Sequence, residues 1–220
     1  MSNDVGVIGF IGGTGPEGRG LALRFAQNGH DVLLGSRDST RAEREASRVA
    51  ALTDAASVGS GFNHEVALGS DIVFLTVPYA VQREVLHDLR SALDGKVAVA
   101  VAAPLTFEDG IARAVLVEEG SAALHAQAVL SGSRVVGAFQ TVSASDLLQP
   151  DKSIDSDVVV CADDPESKQS VMYLAEEIKG VRAVDGGGLE NAGHLESFTA
   201  LLINLNRIYK ARSSIKISGI

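Results

Sequence analysis

A glycine-rich turn near the N-terminus, Gly13-Thr14-Gly15-Pro16-Glu17-Gly18, has the residue types and spacing that bind phosphate. It follows an apolar run and opens a helical one. In such a turn the first glycine makes the bend, the second lets backbone N–H groups reach a pyrophosphate, and the third lets the helix pack closely on the strand. Pro16 suits a helix start because its missing N–H would have had no helical partner there. The turn therefore predicts a dinucleotide site, the alternative being a purely structural glycine turn.

The residues after the second predicted strand distinguish the two nicotinamide dinucleotides. An NAD-binding domain places Asp or Glu there, about 20 residues after the turn, to bind the ribose 2′-hydroxyl. Here the strand runs into Gly35-Ser36-Arg37 instead. A carboxylate would repel a 2′-phosphate, whereas a hydroxyl followed by a guanidinium can bind and neutralise it. Ser36 and Arg37, with Arg41 completing the clamp, therefore predict NADP rather than NAD.

The residues around this clamp have structural interpretations. Asp38 is expected to cap the N-terminus of the helix that follows. Arg44 and Arg48 continue the helical face of Arg41, and we interpret them as a solvated surface paired with Glu43 and Glu45.

Motifs for catalysis by protein side chains are missing from the sequence. There is no nucleophile-elbow signature, no HExxH and no CxxC pair, so acyl transfer, zinc chemistry and thiol redox chemistry lack support, and no metal site is expected. The five histidines are scattered, with His64, His87 and His125 in surface-like positions. Only His194 lies where a second ligand could reach it. Hydride transfer tolerates this absence, because the cofactors carry the chemistry and the protein aligns them.

Composition restricts the partners and the compartment. The chain of 220 residues has 19 Lys plus Arg against 28 Asp plus Glu, a net charge of −9, which argues against nucleic-acid binding. The single cysteine, Cys161, cannot form an internal disulfide, which favours a reducing, cytoplasmic setting. No apolar run approaches the ~18 residues of a membrane span, and the first four residues do not read as a signal peptide.

The elements that must position these residues follow an α/β pattern, in which short β-branched runs alternate with amphipathic stretches. We predict a doubly wound, mostly parallel Rossmann-like sheet, with strands covered by helices on both faces. The predicted strands are Val5 to Ile11, Asp31 to Leu34, Asp71 to Val77, Lys96 to Val101, Arg134 to Phe139 and Asp157 to Cys161, with a seventh candidate at Val181 to Val184. The predicted helices are Gly18 to Gln27, Arg41 to Leu52, Ala80 to Leu93, Ser121 to Leu130 and Glu166 to Ile178, with helix-ending glycines at Gly29, Gly95 and Gly180.

A glycine turn, Gly186-Gly187-Gly188, separates a predicted dinucleotide-binding domain at residues 1–188 from a C-terminal helix and tail at 189–220. The terminal helix, about Leu189 to Tyr209, should close the second-substrate site. Its apolar side carries Leu195, Phe198, Leu201, Leu202, Leu205 and Ile208. This side either closes the core or forms a dimer seam or a wall of a second ligand site, where Gly193 and Ser197 allow close approach. The two interpretations are compatible.

Five blocks give the sequence a family resemblance. They are Gly12 to Arg24 with Gly35-Ser36-Arg37, Leu75 to Pro78, Phe139 to Ala144, Asp157 to Asp164 with Glu166-Ser167-Lys168, and Leu195 to Leu201. In these blocks, which are spread over nearly the whole chain, the sequence resembles the NADPH-dependent reductases of coenzyme F420, an 8-hydroxy-5-deazaflavin. The resemblance implies hydride exchange between NADP(H) and the deazaflavin in a homodimer, without a metal.

The resemblance also implies site residues. The NADP contacts fall on Thr14, Gly15, Pro16, Glu17, Ser36, Arg37 and Arg41, with Val77 and Pro78 beside the ribose and nicotinamide. The deazaflavin pocket falls on Ala103, Pro104, Gln140, Val142, Ser197 and Thr199. Relatives commonly carry His where this chain has Gln140, which can hydrogen-bond a ring carbonyl but cannot be protonated. Residues 105–120 also match the sequence pattern of this family poorly.

Two other functions are consistent with the residues. One keeps NADPH and reduces another acceptor, such as a flavin, an imine or a ferric chelate, because the fold fixes only the donor half. The other is a catalytically silent NADP-binding regulator. Reductases of the pyrroline-carboxylate or hydroxy-acid type are disfavoured, because the chain after Gly188 is too short for their helical domain.

Overall fold

A computed structural model describes residues 5–53 and 57–220. These residues form strands β1 (Ile8–Ile11), β2 (Val32–Ser36), β3 (Val58–Phe62), β4 (Ile72–Leu75), β5 (Val97–Ala100), β6 (Leu105–Glu108), β7 (Ile111–Ala114), β8 (Arg134–Gly137), β9 (Ser156–Ala162) and β10 (Val181–Asp185). The helices are α1 (Pro16–Gln27), α2 (Ser39–Ala50), α3 (Asn63–Leu68), α4 (Tyr79–Leu89), α5 (Ala122–Val129), α6 (Ala144–Leu147), α7 (Pro165–Glu177) and α8 (Ala192–Tyr209), and a 3₁₀ turn (Leu189–Asn191) leads into α8.

Eight of the strands form one sheet in the order β10-β9-β8-β5-β4-β1-β2-β3, and β6 and β7 form a separate antiparallel hairpin. All neighbours in the large sheet are parallel except β8 and β9. Strand β1 pairs with β2 on one side and β4 on the other. This is the point where the chain changes direction across the sheet and where doubly wound folds bind ligands at the carboxyl ends of their strands. The doubly wound, mostly parallel prediction is confirmed.

All seven predicted strands are present, but three other strands escaped the sequence analysis. Strand β3 reads Val-Gly-Ser-Gly-Phe, which lacks an apolar run, and β6 and β7 lie in the stretch that matched the family poorly. The first strand begins at Ile8 rather than Val5, because Gly6 adopts a left-handed φ of +67°. The helix predicted from Ala80 to Leu93 ends at Leu89. The predicted helix-ending glycines Gly29, Gly95 and Gly180 all have positive φ.

The core lies on both faces of the sheet. Four buried rings, those of Phe10, Phe25, Phe74 and Phe139, meet on one face, with centroid distances from 5.2 to 6.3 Å. Packing of this kind contributes beyond the area it buries. On the other face, the small residues of β5 face α5 and Leu189. The ends of β1, β4 and β8 are therefore held in fixed relation to one another.

The apolar side of α8 is divided between core and surface. Leu202 is buried and Leu195 half-buried, whereas Phe198, Leu201 and Ile208 are 40%, 48% and 64% exposed. The interpretation that this whole side closes the core is therefore wrong. The six residues cover a wider sector of the helix surface than the core can contact. Those on one side of the sector therefore pack inward, and those on the other side remain in solvent. The β6–β7 hairpin covers another part of α8, where the Asn204 side chain bonds both the N–H and the C=O of Ala112.

The C-terminal tail is hydrogen-bonded to the fully buried carboxylate of Asp157 in β9. Asp157 accepts two hydrogen bonds from Arg182, at 3.0 and 2.6 Å, and one from the backbone N–H of Ile217 at 2.6 Å. Hydrogen bonding by Arg182 lowers the pKa of Asp157 from its ordinary value of 3.8 to about 2, against the opposing effect of burial. The ionised side chain thus stabilises the fold above pH 3.8, and this contribution is lost as the pH falls through about 2.

We expect Asp157→Asn to lower the free energy of unfolding at pH 7 by about 1–2 kcal/mol, since Arg182 is partly exposed and solvent screens the pair. Urea unfolding measures this, and the gap between variant and wild type should shrink as the pH falls from 4 to 2. The control is Asp155→Asn, because Asp155 pairs with Lys216 but is 86% exposed. It should cost less than about 0.5 kcal/mol. Equal losses for both variants would contradict the role of Asp157.

Candidate functional site

The main cleft of the described residues lies at the carboxyl ends of β1, β2, β3 and β4 and has a volume of about 750 Å³. Nine of the residues predicted to bind a dinucleotide line it together. They are Thr14, Gly15, Pro16, Glu17, Ser36, Arg37, Arg41, Val77 and Pro78. Gly13 and Gly18 are not part of its lining. The volume suits a small-molecule site, whose usual range is about 300–1,000 Å³.

The glycine turn is shaped by close backbone contacts. A Cβ at Gly18 would lie 2.7 Å from the Cα of Gly13, and a Cβ at Gly13 would lie 2.7 Å from the Cβ of Phe10. These two glycines therefore form the bend and the helix contact rather than the wall of the cleft. Gly15 differs, because a Cβ there would meet only the Gly12 carbonyl oxygen, at 3.6 Å. Helix α1 begins at Pro16 rather than at the predicted Gly18, with Gly15 as an extended N-cap, which agrees with the expectation that Pro16 suits a helix start.

At the end of β2, a short hydrogen-bond chain fixes the backbone that carries the cationic residues. The buried Ser36 hydroxyl accepts from the N–H of Asp38 at 3.1 Å. The Asp38 carboxylate in turn accepts from the N–H of Arg41 at 3.1 Å, which confirms Asp38 as the N-cap of α2. The exposed side chains of Arg37 and Arg41 both line the cleft. A guanidinium pair beside a hydroxyl is suited to a phosphate group.

Other arginines of α1 and α2 are occupied by one buried carboxylate. Glu45 binds Arg19 at 2.9 Å, Arg44 at 3.2 Å and Arg48 at 3.1 Å. Although burial disfavours the ionised form, hydrogen bonds from Arg44 and Arg48 hold the pKa of Glu45 below its usual range. The pairing of Arg44 and Arg48 was correctly predicted, but their partner is Glu45 alone rather than both Glu43 and Glu45.

The wall opposite α2 includes residues that the sequence analysis missed. Phe62 ends β3, and Asn63 and His64 follow it. The Asn63 side chain accepts from the N–H of Gly12 at 3.1 Å. These residues were missed because β3 was not recognised as a strand. Since β3 is parallel to β2, the two strands end at the same edge of the sheet, and recognition of β3 would have placed them at the cleft. Helix α4 supplies the rest of this wall through Val81, Glu84, Val85, Asp88 and Leu89.

Glu17 is the electrostatic anomaly of the cleft. Its Oε1 is buried and has no hydrogen-bond partner among the described residues. Burial raises the pKa of Glu17 to about 8. Burial thus favours the protonated form of this carboxyl, beside a turn whose backbone N–H groups and helix N-terminus favour an anion.

The residues predicted to hold a second ligand meet at the neighbouring strand ends, outside the lining of this cleft. The buried Gln140 side chain donates to the carbonyl of Ala100 at 3.2 Å, at the end of β5. The Thr199 hydroxyl of α8 donates to the carbonyl of Gln140 or of Leu195, each at 3.0 Å. Gln140 and Thr199 are thus together, and they connect β5, β8 and α8.

The other four predicted residues of this region surround that connection less closely. Ala103 is half-buried and Pro104 buried after β5, while Val142 packs in the core. Ser197 is exposed on α8. The residue before Gln140, Phe139, has a left-handed φ of +69°, which is strained for an aromatic side chain. This bend leaves the Phe139 ring in the core and turns Gln140 toward the strand ends.

Two buried ionisable groups hold α5 in this region. Glu196 of α8 accepts from the N–H groups of Ala122 and Ala123, at 2.7 and 3.1 Å, and burial raises its pKa to about 7. His125, predicted to be near the surface, is buried, and its Nδ1 lies 3.1 Å from the side-chain nitrogen of Gln82. The prediction failed because α5 is covered by both α4 and α8. Burial lowers the pKa of His125. His194 is exposed.

Within the described residues, no helix combines the length and apolar character that a bilayer span requires.

Comparisons with known proteins agree with this geometry. Residues 7–104 match the family model described as NADP oxidoreductase, coenzyme F420-dependent. The chain is 41% identical over 219 residues to the F420-dependent NADP reductase of Methanothermobacter thermautotrophicus, covering 97% of this chain and 93% of the relative. It is 36% identical to that of Methanocaldococcus jannaschii, covering 97% and 98%. A crystal structure of a candidate F420-dependent NADP reductase from Arthrobacter sp. FB24 shares the fold, with a TM-score of 0.83, 24% identity, and coverage of 96% and 99%.

Gly15, which faces open space, and Gly18, which contacts backbone, should respond differently to mutation. Gly15→Val should leave the fold intact and abolish dinucleotide binding, because the new side chain fills open cleft space. Gly18→Val should destabilise the protein itself, since its Cβ would meet backbone. Thermal unfolding and NADPH titration of both variants measure this. Wild-type affinity in Gly15→Val would return the turn to a purely structural role.

Proposed function

We infer that the chain, which belongs to the family of F420-dependent NADP reductases, transfers a hydride between NADP(H) and coenzyme F420. The observation that carries this inference is the joining of two half-sites along one row of parallel strand ends. The glycine turn follows β1, and the Ser36-Arg37 pair stands at the end of β2. Gln140 follows β8 and bonds to the end of β5, and Thr199 of α8 bonds to Gln140. A donor in the first half-site and an acceptor in the second would adjoin near the end of β4.

The first half-site fits NADP(H). The space above Gly15 is open to a pyrophosphate, and the N-terminus of α1 is directed toward it. Arg37 and Arg41 supply two cations just after the end of β2, where this type of fold binds the adenosine ribose of a dinucleotide. Ser36 and Arg37 stand where an NAD-binding domain places a carboxylate, so the 2′-phosphate of NADP would meet a hydroxyl and a guanidinium there. We assign Thr14, Gly15, Pro16 and Glu17 to the pyrophosphate side, and Val77 and Pro78 to the ribose and nicotinamide.

The second half-site is proposed to hold the deazaflavin ring. The Gln140 side chain is held by its hydrogen bond to the carbonyl of Ala100. The Thr199 hydroxyl of α8 bonds to the backbone carbonyl of Gln140 and so connects the helix to this residue. Ala103 and Pro104 would border one side, with Ser197 exposed on the helix above and Val142 in the core below. Helix α8 would then close the second-substrate site, so that residues 189–220 complete the dinucleotide-binding domain of residues 1–188.

The protein's contribution is alignment rather than acid–base or covalent catalysis. When both are bound, the nicotinamide supplies or accepts the hydride and the deazaflavin ring exchanges it together with a proton. The chain's own residues bind the two rings, exclude water and hold the reacting carbons within about 3–3.5 Å. Gln140 is suited to orient the acceptor through a hydrogen bond to a ring carbonyl.

We also propose a homodimer, a cytoplasmic location and no role in nucleic-acid binding. The exposed apolar side chains of α8 and the β6–β7 hairpin support self-association; they include Phe107, Phe198, Leu201, Ile208 and Tyr209. The single cysteine is buried, which suits a reducing compartment. The net charge of −9 disfavours contact with a phosphate backbone.

We expect Arg37→Ala to weaken NADPH binding about tenfold or more and to leave NADH binding nearly unchanged, because only NADPH carries the 2′-phosphate. Fluorescence titration with both nucleotides measures this. Arg44→Ala is the matched control, since Arg44 lies on α2, the helix that follows Arg37, but pairs with Glu45 and does not line the cleft. Equal losses for both nucleotides would contradict the assignment of Arg37.

We expect wild-type protein to bleach the absorbance of F420 when the two are mixed anaerobically with NADPH. Thr199→Phe should lower this rate on the order of 10²-fold, because displacement of the acceptor spoils the approach of the two carbons. NADPH affinity should be unchanged. Thr199→Val, which keeps the volume and removes the hydroxyl, separates steric blocking from lost hydrogen bonds and should lose far less. Wild-type rates in Thr199→Phe would place the acceptor elsewhere.

A further inference from the structure

We propose that Glu17 engages the bound dinucleotide as a neutral carboxylic acid, so that NADP(H) binding is coupled to proton uptake. This inference rests on the proposed function of the cleft as the NADP(H) site. It assigns to one side chain of the phosphate turn a role that depends on its protonation state.

The position of Glu17 leads to this inference. It is the second residue of α1, and it lines the cleft beside Thr14, Gly15 and Pro16. Its Oε1 is buried without a hydrogen-bond partner in the described part of the chain. A buried oxygen of this kind is costly unless a ligand or a proton satisfies it. The pyrophosphate expected at the same turn would bring two further negative charges close to it.

No ion pair to Glu17 is formed within residues 5–53 and 57–220. The other charged or titratable residues facing the cleft are Arg37 and Arg41 from the β2–α2 side, His64 from α3, and Glu84 and Asp88 from α4. On α1 itself, the guanidinium of Arg19 is bonded to Glu45. None of these groups forms a hydrogen bond or ion pair with Glu17 among the described residues. The N-terminus of α1 favours a carboxylate, but those same N–H groups are the ones that a bound pyrophosphate would occupy.

The protonation state follows from these surroundings. Burial raises the pKa of Glu17 to about 8, so the free protein holds the proton at pH 7. A bound pyrophosphate raises that pKa further, because like charges disfavour ionisation. The neutral acid can also donate a hydrogen bond to an oxygen of the ligand, which a carboxylate cannot do. By linkage, the ligand then binds the protonated form preferentially and its affinity falls as Glu17 ionises.

The test is calorimetric titration of NADP⁺ into the protein at pH 7 and pH 9. This range lies above the second ionisation of a phosphate monoester, near pH 6, which would otherwise contribute. For wild type, the Kd should rise about tenfold between the two values, as expected for a group that must be protonated and titrates near pH 8. At pH 8.5, titration in two buffers of different ionisation enthalpy should show net proton uptake.

Glu17→Gln is the informative variant, because it keeps a neutral donor of the same shape. Its affinity at pH 7 should resemble that of wild type, and at pH 9 it should bind more tightly than wild type, with a nearly flat profile and less proton uptake. Glu166→Gln is the matched control, because Glu166 is likewise the second residue of a helix that begins with proline but is exposed and lies outside the cleft, and it should keep the wild-type profile. Parallel profiles for wild type and Glu17→Gln would overturn this inference while leaving NADP⁺ binding established. Failure of wild type to bind NADP⁺ at either pH would overturn the proposed function and this inference with it.

Discussion

The close approach of α1 to the end of β1 is the constraint on which the cleft depends. Gly13 and Gly18 come so near each other that a single added carbon would lie within 2.7 Å of backbone. This contact aims the N-terminus of α1 at the open space above Gly15. Farther along the helix, Gly20 similarly lets α1 pack against Leu147 of α6. The position of the turn is thus fixed by packing on both sides, and the space above Gly15 is left open.

The charges of the cleft are arranged by the same elements. Glu45 occupies three arginines of α1 and α2, so that Arg37 and Arg41 remain as the cations that face the cleft from β2 and α2. At the other end of the turn, the Glu17 Oε1 is buried without a hydrogen-bond partner among the described residues, and burial raises the pKa of this carboxyl to about 8. The net charge of −9 therefore does not describe the end of the cleft that Arg37 and Arg41 line, although Glu84 and Asp88 of α4 also face this cleft.

The sequence was most informative where function depends on neighbouring residues in the chain. The glycine turn, the Ser36-Arg37 pair and the Asp38 cap are local, and their geometry agrees with their spacing. Contacts between distant segments were harder to predict. Phe62 and His64 reach the cleft through β3, whose glycines conceal a strand, and α5 buries His125 because α4 and α8 both cover it. The division of the α8 face between core and solvent likewise depends on tertiary packing rather than on helical periodicity.

The central claim is that hydride passes directly between two rings that the protein only aligns. The most direct measurement uses NADPH deuterated at C4 on one face or the other, mixed anaerobically with the protein and F420 in ordinary water. The account predicts that one of the two stereoisomers delivers deuterium to the reduced deazaflavin, as seen by mass spectrometry, and that the other does not. Reduced F420 without deuterium from either isomer, or no reduction of F420 by bound NADPH, would contradict it.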